Sequence, residues 1–260
     1  MKKAALMNNS DKLHILVTGA ASGIGAACAR KLAKPNNVLF LHTGKNQEKL
    51  DRLVQELRSQ KGVEIYCYTT DFNHPDRLAE MIAKIKGRAG YIDQLVLNAG
   101  YADKGDFHQL TTEKLSTALA VMAESPALLI KAFIQDIQNS QSGRIVAISS
   151  FVNKAIGVND TAFTITAAAK SALEGLTMEA ARQLQKSRAT ANIISPGYTR
   201  KDSEKSAFSE QQWLELAAKL PLGRLVEPDE VAALVQFLLS EEAAMITGQN
   251  ISIDSGLNLL

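Results

Sequence analysis

Aromatic and sulfur-containing residues are scarce in this chain of 260 residues. Its two cysteines, Cys28 and Cys67, belong to neither a CxxC pair nor a Cys/His cluster. We therefore predict no bound metal, no disulfide framework and a reducing, cytoplasmic location. Tyrosine is also rare, and the five are Tyr66, Tyr68, Tyr91, Tyr101 and Tyr198. Few positions are available for chemistry that needs a phenol.

The chain also lacks a charge excess and a long apolar run. Lysine and arginine total 29 against 27 acidic residues, so the net charge is +2. This balance excludes a globally basic nucleic-acid binder. No stretch approaches the roughly 20 apolar residues that span a bilayer. The apolar run at positions 4–7 is too short for a signal peptide, so we expect residues 1–11 to form a mobile tail and predict neither nucleic-acid nor membrane partners.

What the sequence does contain is a regular alternation of short apolar runs with longer amphipathic ones. Such alternation predicts parallel strands joined by helical crossovers. We expect one doubly wound α/β domain over residues 12–260, with helices on both faces of the sheet. The predicted strands are 13–18, 38–42, 63–69, 94–98, 144–149, 191–195 and 250–254. The predicted helices are 24–34, 47–60, 75–85, 112–138, 167–184 and 228–240.

A glycine-rich loop, TGAASGIG, runs from Thr18 to Gly25, between the first predicted strand and helix. Glycine tolerates a positive φ and lets backbone N–H groups approach a ligand closely. At the positive end of a helix, such groups bind a diphosphate. The spacing is GxxxGxG and not the commoner GxGxxG. We interpret the loop as a dinucleotide site, although a tight turn without ligand would use the same glycines.

The end of the second strand bears on the choice of dinucleotide. An acidic residue there normally hydrogen-bonds the ribose 2′-hydroxyl of NAD. This chain has His42-Thr43-Gly44-Lys45 instead, and no carboxylate before Glu48. A lysine attracts a 2′-phosphate, so we predict NADP(H) in preference to NAD(H). An ordinary solvated loop lysine would explain Lys45 equally well.

Further motifs resemble the short-chain dehydrogenase/reductase family over nearly the whole chain. They are Asp71 in TTDF, LNAG at 97–100, KSALEGLT at 170–177, SPGY at 195–198 and ITGQNISIDSG at 246–256. The resemblance implies a single Rossmann-type domain, an NAD(P)(H) cofactor and a small-molecule substrate. It also implies a homo-oligomer, either a tetramer or a dimer.

The resemblance assigns roles to cofactor-binding positions in three groups: the glycine loop to the diphosphate, the third and fourth strand ends to adenine and ribose, and the SPGY turn to the nicotinamide. With Lys45, these positions are Gly19, Ser22, Gly23, Ile24, Gly25, Asp71, Phe72, Asn98, Ala99, Gly100, Lys170, Pro196, Gly197 and Thr199.

The implied active site departs from the family pattern. Ser150 and Lys170 match the family's serine and lysine, but Thr166 stands where its tyrosine would precede the lysine by four residues. Related enoyl-acyl-carrier-protein reductases place tyrosine seven residues before the lysine, where this chain has Phe163. Met122 replaces the family's asparagine. The interval from Ser150 to Lys170 is also longer than usual, which implies an insertion near residues 158–161.

Three functions remain open. The first is NADPH-dependent reduction of a small carbonyl or conjugated substrate with a non-standard proton donor, for which Tyr101, Tyr198 and His108 are candidates. The second is a cofactor-binding sensor or partner subunit that has lost catalysis. The third is a lyase or isomerase that uses Ser150 or Lys170 in the same pocket. A threonine hydroxyl is far less acidic than a phenol, so the proton donor is the central question.

Overall fold

The computed structural model describes residues 12–59, 63–154, 161–200 and 208–259. The predicted N-terminal tail and most of the predicted insertion lie outside these residues. Seven parallel strands form one sheet in the order β3-β2-β1-β4-β5-β6-β7, which confirms the doubly wound α/β class. The strands are β1 Leu13–Val17, β2 Asn37–Thr43, β3 Glu64–Thr69, β4 Gln94–Leu97, β5 Arg144–Ile148, β6 Thr190–Pro196 and β7 Asn250–Ile253.

Helices cover both faces of this sheet. They are α1 Gly23–Leu32, α2 Gln47–Arg58, α3 Pro75–Ala89, α4 Thr112–Leu119, α5 Ser125–Asn139, α6 Thr164–Gln183, α7 Glu210–Lys219 and α8 Pro228–Leu238. Helices α1, α2 and α8 pack on one face, whereas α3, α5 and α6 pack on the other. Alternation within β1 separates the two cores, because Ile15 and Val17 face the first and Leu16 faces the second. Strands buried on both faces are accordingly apolar almost throughout.

The strand order reverses between β1 and β4. The chain leaves β1 towards β2 and β3 on one side, and later continues from β4 towards β7 on the other. In open α/β sheets this reversal opens a crevice beyond the carboxyl ends of the strands. The glycine loop after β1 and the turn after β4 therefore meet at one point.

The predicted long helix at 112–138 is interrupted. A π-helical turn, Ala120–Glu124, separates α4 from α5. Pro126 follows at the start of α5, a position where a helix tolerates the missing N–H of proline. The Ser125 hydroxyl donates a hydrogen bond to the Ala120 carbonyl at 2.8 Å. A proline inside a regular helix costs about 3 kcal/mol, and the wider turn avoids this loss.

Together α4, the π turn and α5 form a helical run of 28 residues, Thr112–Asn139, that is long and apolar enough to cross a membrane. The sequence-based expectation that no stretch has this property was wrong for this run. Its apolar residues are used inside the fold, however. Leu129 and Phe133 belong to the sheet core, and Met122 packs on α6.

Two helix boundaries differ from prediction in ways that affect the site. Helix α6 begins at Thr164 rather than residue 167, so Thr166 lies in its first turn. Helix α7 is absent from the predicted helices. A capping box between Ser209 and Gln212 starts it, and the S-x-x-Q pattern in the sequence is the signal that would have revealed it.

Candidate active site

One cavity of about 640 Å³ lies at the carboxyl ends of the strands. Nearly every predicted site residue borders this cavity, so residues from positions 19 to 199 of the sequence line one continuous space. The predicted residues along its wall are Gly19, Ser22, Gly23, Ile24, Lys45, Asp71, Phe72, Asn98, Ala99, Gly100, Ser150, Thr166, Lys170, Pro196, Gly197 and Thr199. Of the predicted set, only Gly25 lies behind the wall.

Two glycines of the loop are required by geometry. Gly19 has φ +67°, and a Cβ there would lie 2.9 Å from the Ala99 Cα. A Cβ on Gly25 would lie 2.1 Å from the Gly19 carbonyl oxygen. The loop therefore folds tightly against both the start of α1 and the turn after β4. Larger residues at either position would push the loop into the space where a diphosphate would lie.

The start of α1 is suited to an anion. Its first turn contains no acidic residue, so no side chain opposes the positive end of the helix dipole. Ser22 precedes the helix in an extended conformation, and its side chain makes no capping hydrogen bond. Its exposed hydroxyl and the neighbouring backbone N–H groups fit the diphosphate of a dinucleotide.

Asn98 connects the two halves of the crevice. Its side-chain amide donates to the carbonyls of Thr18 and Gly19 at 3.0 and 3.1 Å. The Thr18 hydroxyl in turn accepts from the backbone N–H groups of Asn98 and Ala99. The Asn98 amide therefore holds the glycine loop in place. Its predicted packing on the ribose stays a prediction.

His42 is a functional candidate that sequence reasoning missed. It is 1% exposed, and its ring stacks on Phe72 with centroids 4.0 Å apart. Its Nδ1 accepts from the Gly19 N–H at 3.4 Å, and its Nε2 lies 2.8 Å from the Thr70 carbonyl, to which it donates. Burial lowers the pKa of His42 to about 4, so the ring is neutral at physiological pH. The signal was a histidine within the otherwise mostly apolar segment VLFLHT, because a buried polar group needs partners.

At the end of the cavity predicted to hold the adenine, Lys45 forms an ion pair with Asp71, with Nζ and Oδ2 3.3 Å apart. The Lys45 side chain is 77% exposed, so this pair contributes little to stability. Hydrogen bonding from the Asn73 backbone, together with Lys45, lowers the pKa of Asp71 below its usual range. Phe72 lines the wall, but its ring is buried against His42 rather than free to cover an adenine.

Lys170 occupies the opposite end of the cavity. It is 6% exposed, and its Nζ donates to the Ile148 carbonyl at 2.6 Å. A side chain built on Gly100 would lie 3.2 Å from this Nζ and 3.0 Å from the Met122 Sδ. The ammonium group, the turn after β4 and the π turn therefore converge. Met122 is fully buried beside them as a packing residue.

Thr166 borders the cavity, but its hydroxyl is committed to the backbone. Its Oγ1 accepts from the Asp103 N–H at 2.8 Å. This bond fixes the loop after β4 against the first turn of α6. Thr166 was predicted as a catalytic residue, and its geometry indicates an anchoring role for the loop 101–105.

Ser150 lies at the cavity wall, directly after β5, where its Oγ accepts from the Val152 N–H at 3.5 Å. Ser150 is supported by three hydrogen-bonded side chains that the sequence did not point to, those of Ser149, Asn153 and Glu174. The Ser149 hydroxyl donates to Glu174 Oε1 at 2.5 Å, and the Asn153 amide donates to the same oxygen at 3.0 Å. Because Glu174 lies one helical turn beyond Lys170, α6 holds the segment around Ser150 at several points.

Aromatic side chains cover the cavity beyond Ser150. We call Phe151, Phe163, Tyr198, Phe208 and Trp213 the aromatic wall. Phe151 and Tyr198 have ring centroids 4.5 Å apart, and Phe208 and Trp213 are 4.9 Å apart. Edge-on and tilted packing of this kind forms a rigid apolar surface. The Trp213 ring comes from α7, the helix that was not predicted.

The candidate proton donors are placed differently. Tyr101 borders the cavity and is 38% exposed, and burial together with Asp103 raises the pKa of its phenol. Tyr198 is 3% exposed within the aromatic wall. His108 is exposed on a short turn and does not border the cavity.

The SPGY turn closes the cavity on the β6 side. Pro196 ends β6, and the Gly197 N–H donates to the Ile253 carbonyl at 2.9 Å. The Thr199 hydroxyl donates to the Gly197 carbonyl at 3.0 Å. These bonds keep the turn rigid at the end predicted to hold the nicotinamide.

Known proteins have the same organisation. Residues 19–258 match the sequence profile of a family described as enoyl-(acyl carrier protein) reductase. The chain is 31% identical over 242 residues to the cis-4-hydroxycyclohexanecarboxylate dehydrogenase of Sinomonas cyclohexanicum, covering 93% of this chain and 94% of that enzyme.

Solved structures agree. A short-chain dehydrogenase from Burkholderia cenocepacia in complex with NADP is 28% identical, with a TM-score of 0.84 over 96% of this chain and all of that one. A blue fluorescent protein from a metagenomic library, in complex with NADPH, is 29% identical, with a TM-score of 0.86 over 96% of this chain and 99% of its own. Together with the cavity, these similarities show that the chain belongs to the short-chain dehydrogenase/reductase family of NAD(P)-dependent oxidoreductases.

Proposed function

We propose that this protein is an NADPH-dependent reductase of a small carbonyl or conjugated substrate and that it lacks the usual tyrosine acid. One observation carries the proposal: a single cavity joins the glycine loop, Lys45, Ser150 and Lys170. The loop supplies the anion site, Lys45 the cation for a 2′-phosphate, and Lys170 a buried ammonium group. The relatives solved with NADP or NADPH support the same cofactor.

Lys170, Ser150 and the aromatic wall have different roles in the proposed reaction. Between the glycine loop and the SPGY turn, the cavity would hold NADPH, which when bound would supply a hydride. The Lys170 ammonium stabilises negative charge that develops on the substrate oxygen, because a buried cation acts in a low dielectric. Ser150 donates a hydrogen bond to the same oxygen. The aromatic wall excludes water and holds the carbon skeleton of the substrate.

Tyr101 is the proposed non-standard proton donor. Its phenol borders the cavity and lies next to Gly100, which itself lies close to Lys170. The raised pKa of Tyr101 keeps the group protonated but makes it a weak acid. Tyr101→Phe is therefore expected to slow the reduction of saturated ketones most, and that of acceptors giving stabilised anions least.

The decisive experiment has two parts, binding and turnover. Binding of NADPH and NADH is measured by nicotinamide fluorescence, and we expect NADPH to bind more tightly. NADPH oxidation is then screened over ketones, enones and quinones with the wild type and with Lys170→Ala. Tighter binding of NADH would refute the choice of cofactor. Tight binding of NADPH without turnover of any substrate would refute the reductase and support a sensor or partner subunit.

The proposal includes a cytoplasmic, homo-oligomeric protein, either a tetramer or a dimer. The support is the family membership and the apolar run Thr112–Asn139, part of which is not covered by the chain itself. Light scattering of the purified protein distinguishes a monomer of 28.1 kDa from a dimer or a tetramer. A monomer at micromolar concentration would contradict this part of the proposal.

A further inference from the structure

The reacting end of the cavity is poor in acid groups. The Thr166 hydroxyl, at the position of the family's phenol, accepts a hydrogen bond from the Asp103 backbone. Met122, at the position of the family's asparagine, presents a thioether and is fully buried. Neither side chain delivers a proton. Tyr101, the proposed proton donor, is only a weak acid, because burial and Asp103 raise the pKa of its phenol. Ser150 and Lys170 stabilise an anion more readily than they neutralise one.

A site that stabilises an anion better than it protonates one favours substrates whose reduced anion is a weak base. Hydride addition to an isolated ketone gives an alkoxide, which is about as strong a base as hydroxide. Such an anion does not accumulate without a strong partner acid. Hydride addition to a quinone gives a hydroquinone monoanion, which has the basicity of a phenolate, with a pKa of about 10. That anion persists beside a lysine and takes its proton later.

The aromatic wall points to the same shape of substrate. Its rings border the cavity and pack on one another in tilted or edge-on contact, and Phe151 lies next to Ser150 in sequence. A flat conjugated ring packs against such surfaces in offset or edge-on contact. A saturated ring would bury similar area without these ring contacts.

Resting on the NADPH-dependent function proposed above, we propose that the substrates are planar quinones. The quinone gains a hydride, that is two electrons and one hydrogen nucleus, while NADPH is oxidised to NADP+. The hydroquinone monoanion is held near Lys170 and then takes one proton from solvent water. The electrons and atoms balance without a further reactant.

A matched pair of compounds tests this inference. 2,3-Dimethyl-1,4-naphthoquinone and 2-tetralone share a bicyclic skeleton, but only the first is a quinone. The methyl groups block addition of the exposed Cys67 thiol to the ring. NADPH oxidation is followed for each compound, with the rate in the absence of protein subtracted. We expect kcat/KM for the quinone to exceed that for the tetralone by at least about 100-fold, the gain expected from a missing general acid.

A second readout does not depend on turnover. Trp213 is the only tryptophan in the chain and belongs to the aromatic wall, so quenching of its fluorescence reports binding. N-acetyltryptophanamide corrects for quenching in free solution. We expect saturable quenching by the quinone without cofactor, with tighter binding than the tetralone shows. Trp213→Phe abolishes the signal while it retains a ring.

The outcomes separate the two proposals. Comparable reduction of both compounds overturns the quinone inference and leaves the NADPH reductase intact. Tight NADPH binding with no reduction of either compound, or of any compound in the broader screen, overturns the reductase itself. Quenching of Trp213 by the quinone without its reduction overturns the inference as well.

A variant of the wall gives a further check. Phe151→Leu keeps an apolar side chain but removes the ring, and we expect KM for the quinone to rise about 3- to 10-fold with NADPH affinity unchanged. Phe237→Leu, at an exposed position on α8 outside the cavity, is the matched control. Circular dichroism confirms that both variants fold. An unchanged KM in a folded Phe151→Leu protein contradicts the role of the wall.

Discussion

The two ends of the cavity are built in different ways. The dinucleotide end is formed mainly by backbone. Gly19 has a positive φ, and Gly25 lets the Gly19 carbonyl approach closely. Hydrogen bonds from Asn98 and to His42 hold the glycine loop. At the substrate end, the cavity is lined mainly by side chains, among them Ser150, Lys170 and the aromatic wall. A site made of backbone persists through substitution, whereas a site made of side chains changes its chemistry with one or two residues.

Among substitutions that test this difference between the two ends, one at Lys170 is expected to have the largest effect on activity. Lys170→Ala removes the buried ammonium at the substrate end, and loss of one such electrostatic group typically lowers kcat about 100- to 1,000-fold. Steady-state kinetics with 2,3-dimethyl-1,4-naphthoquinone measures it. Lys186→Ala, at an exposed position after α6, serves as control. Retention of activity within a few-fold would show that the substrate end does not depend on this side chain.

The next effect concerns His42 at the dinucleotide end. Its folded pKa of about 4 lies below its usual value of 6.5, so the unfolded chain binds more protons between these pH values. Stability therefore rises with pH across this window and is lost as pH falls from 6.5 towards 4. Between pH 7 and pH 5 this linkage amounts to about 2 kcal/mol.

Urea unfolding at both pH values measures this linkage. In His42→Phe that contribution to the pH dependence should disappear, although the variant also loses the bond to Gly19 and is less stable at pH 7. His108→Gln, which changes an exposed histidine, should keep the wild-type pH dependence. An identical pH dependence in wild type and His42→Phe would be incompatible with a buried neutral ring.

A smaller effect is expected where α6 supports Ser150. Glu174→Ala removes the acceptor for the Ser149 hydroxyl and the Asn153 amide, and we expect kcat to fall about 10-fold. Glu174→Gln keeps an acceptor oxygen and should restore most of the rate. Glu179→Ala, on the same helix but paired with Arg182 at the surface, is the matched control. If Gln and Ala variants behave alike in kcat, the hydrogen bonds do not position Ser150.

The smallest effect is expected at Lys45. Lys45→Met should weaken NADPH binding about 5-fold and leave NADH binding unchanged, because the exposed ammonium is screened and already shared with Asp71. Fluorescence titration at low and high salt measures both cofactors, and Lys49→Met on α2 controls for net charge. Equal loss for NADH and NADPH would mean that Lys45 does not recognise a 2′-phosphate.

Much of this architecture is visible in the sequence. Alternating apolar runs predict the sheet, and TGAASGIG, LNAG and SPGY predict which residues meet at its edge. These signals are strong because strands buried on both faces and tight glycine turns restrict the residues they accept. They correctly place nearly all of the predicted site residues around one cavity.

Other features could not be predicted, because they depend on long-range pairing. The bond from Asp103 to Thr166 joins residues 63 positions apart. His42 contacts Gly19 and Thr70 only once β2 lies beside the loop. The π turn at Ala120–Glu124 has the composition of an ordinary helix, and only Pro126 hints at it. A sequence pattern compares residues that are close along the chain, so it does not reveal contacts between distant residues.

The bond between Thr166 and the Asp103 backbone also restricts how this site can be altered. A tyrosine at position 166 would install an acid and release the loop 101–105 in the same step. The loop carries part of the cavity wall, so the gain and the damage arrive together. The hydroxyl of Thr166 thus contributes to the shape of the cavity through the loop it anchors, whatever its part in the chemistry.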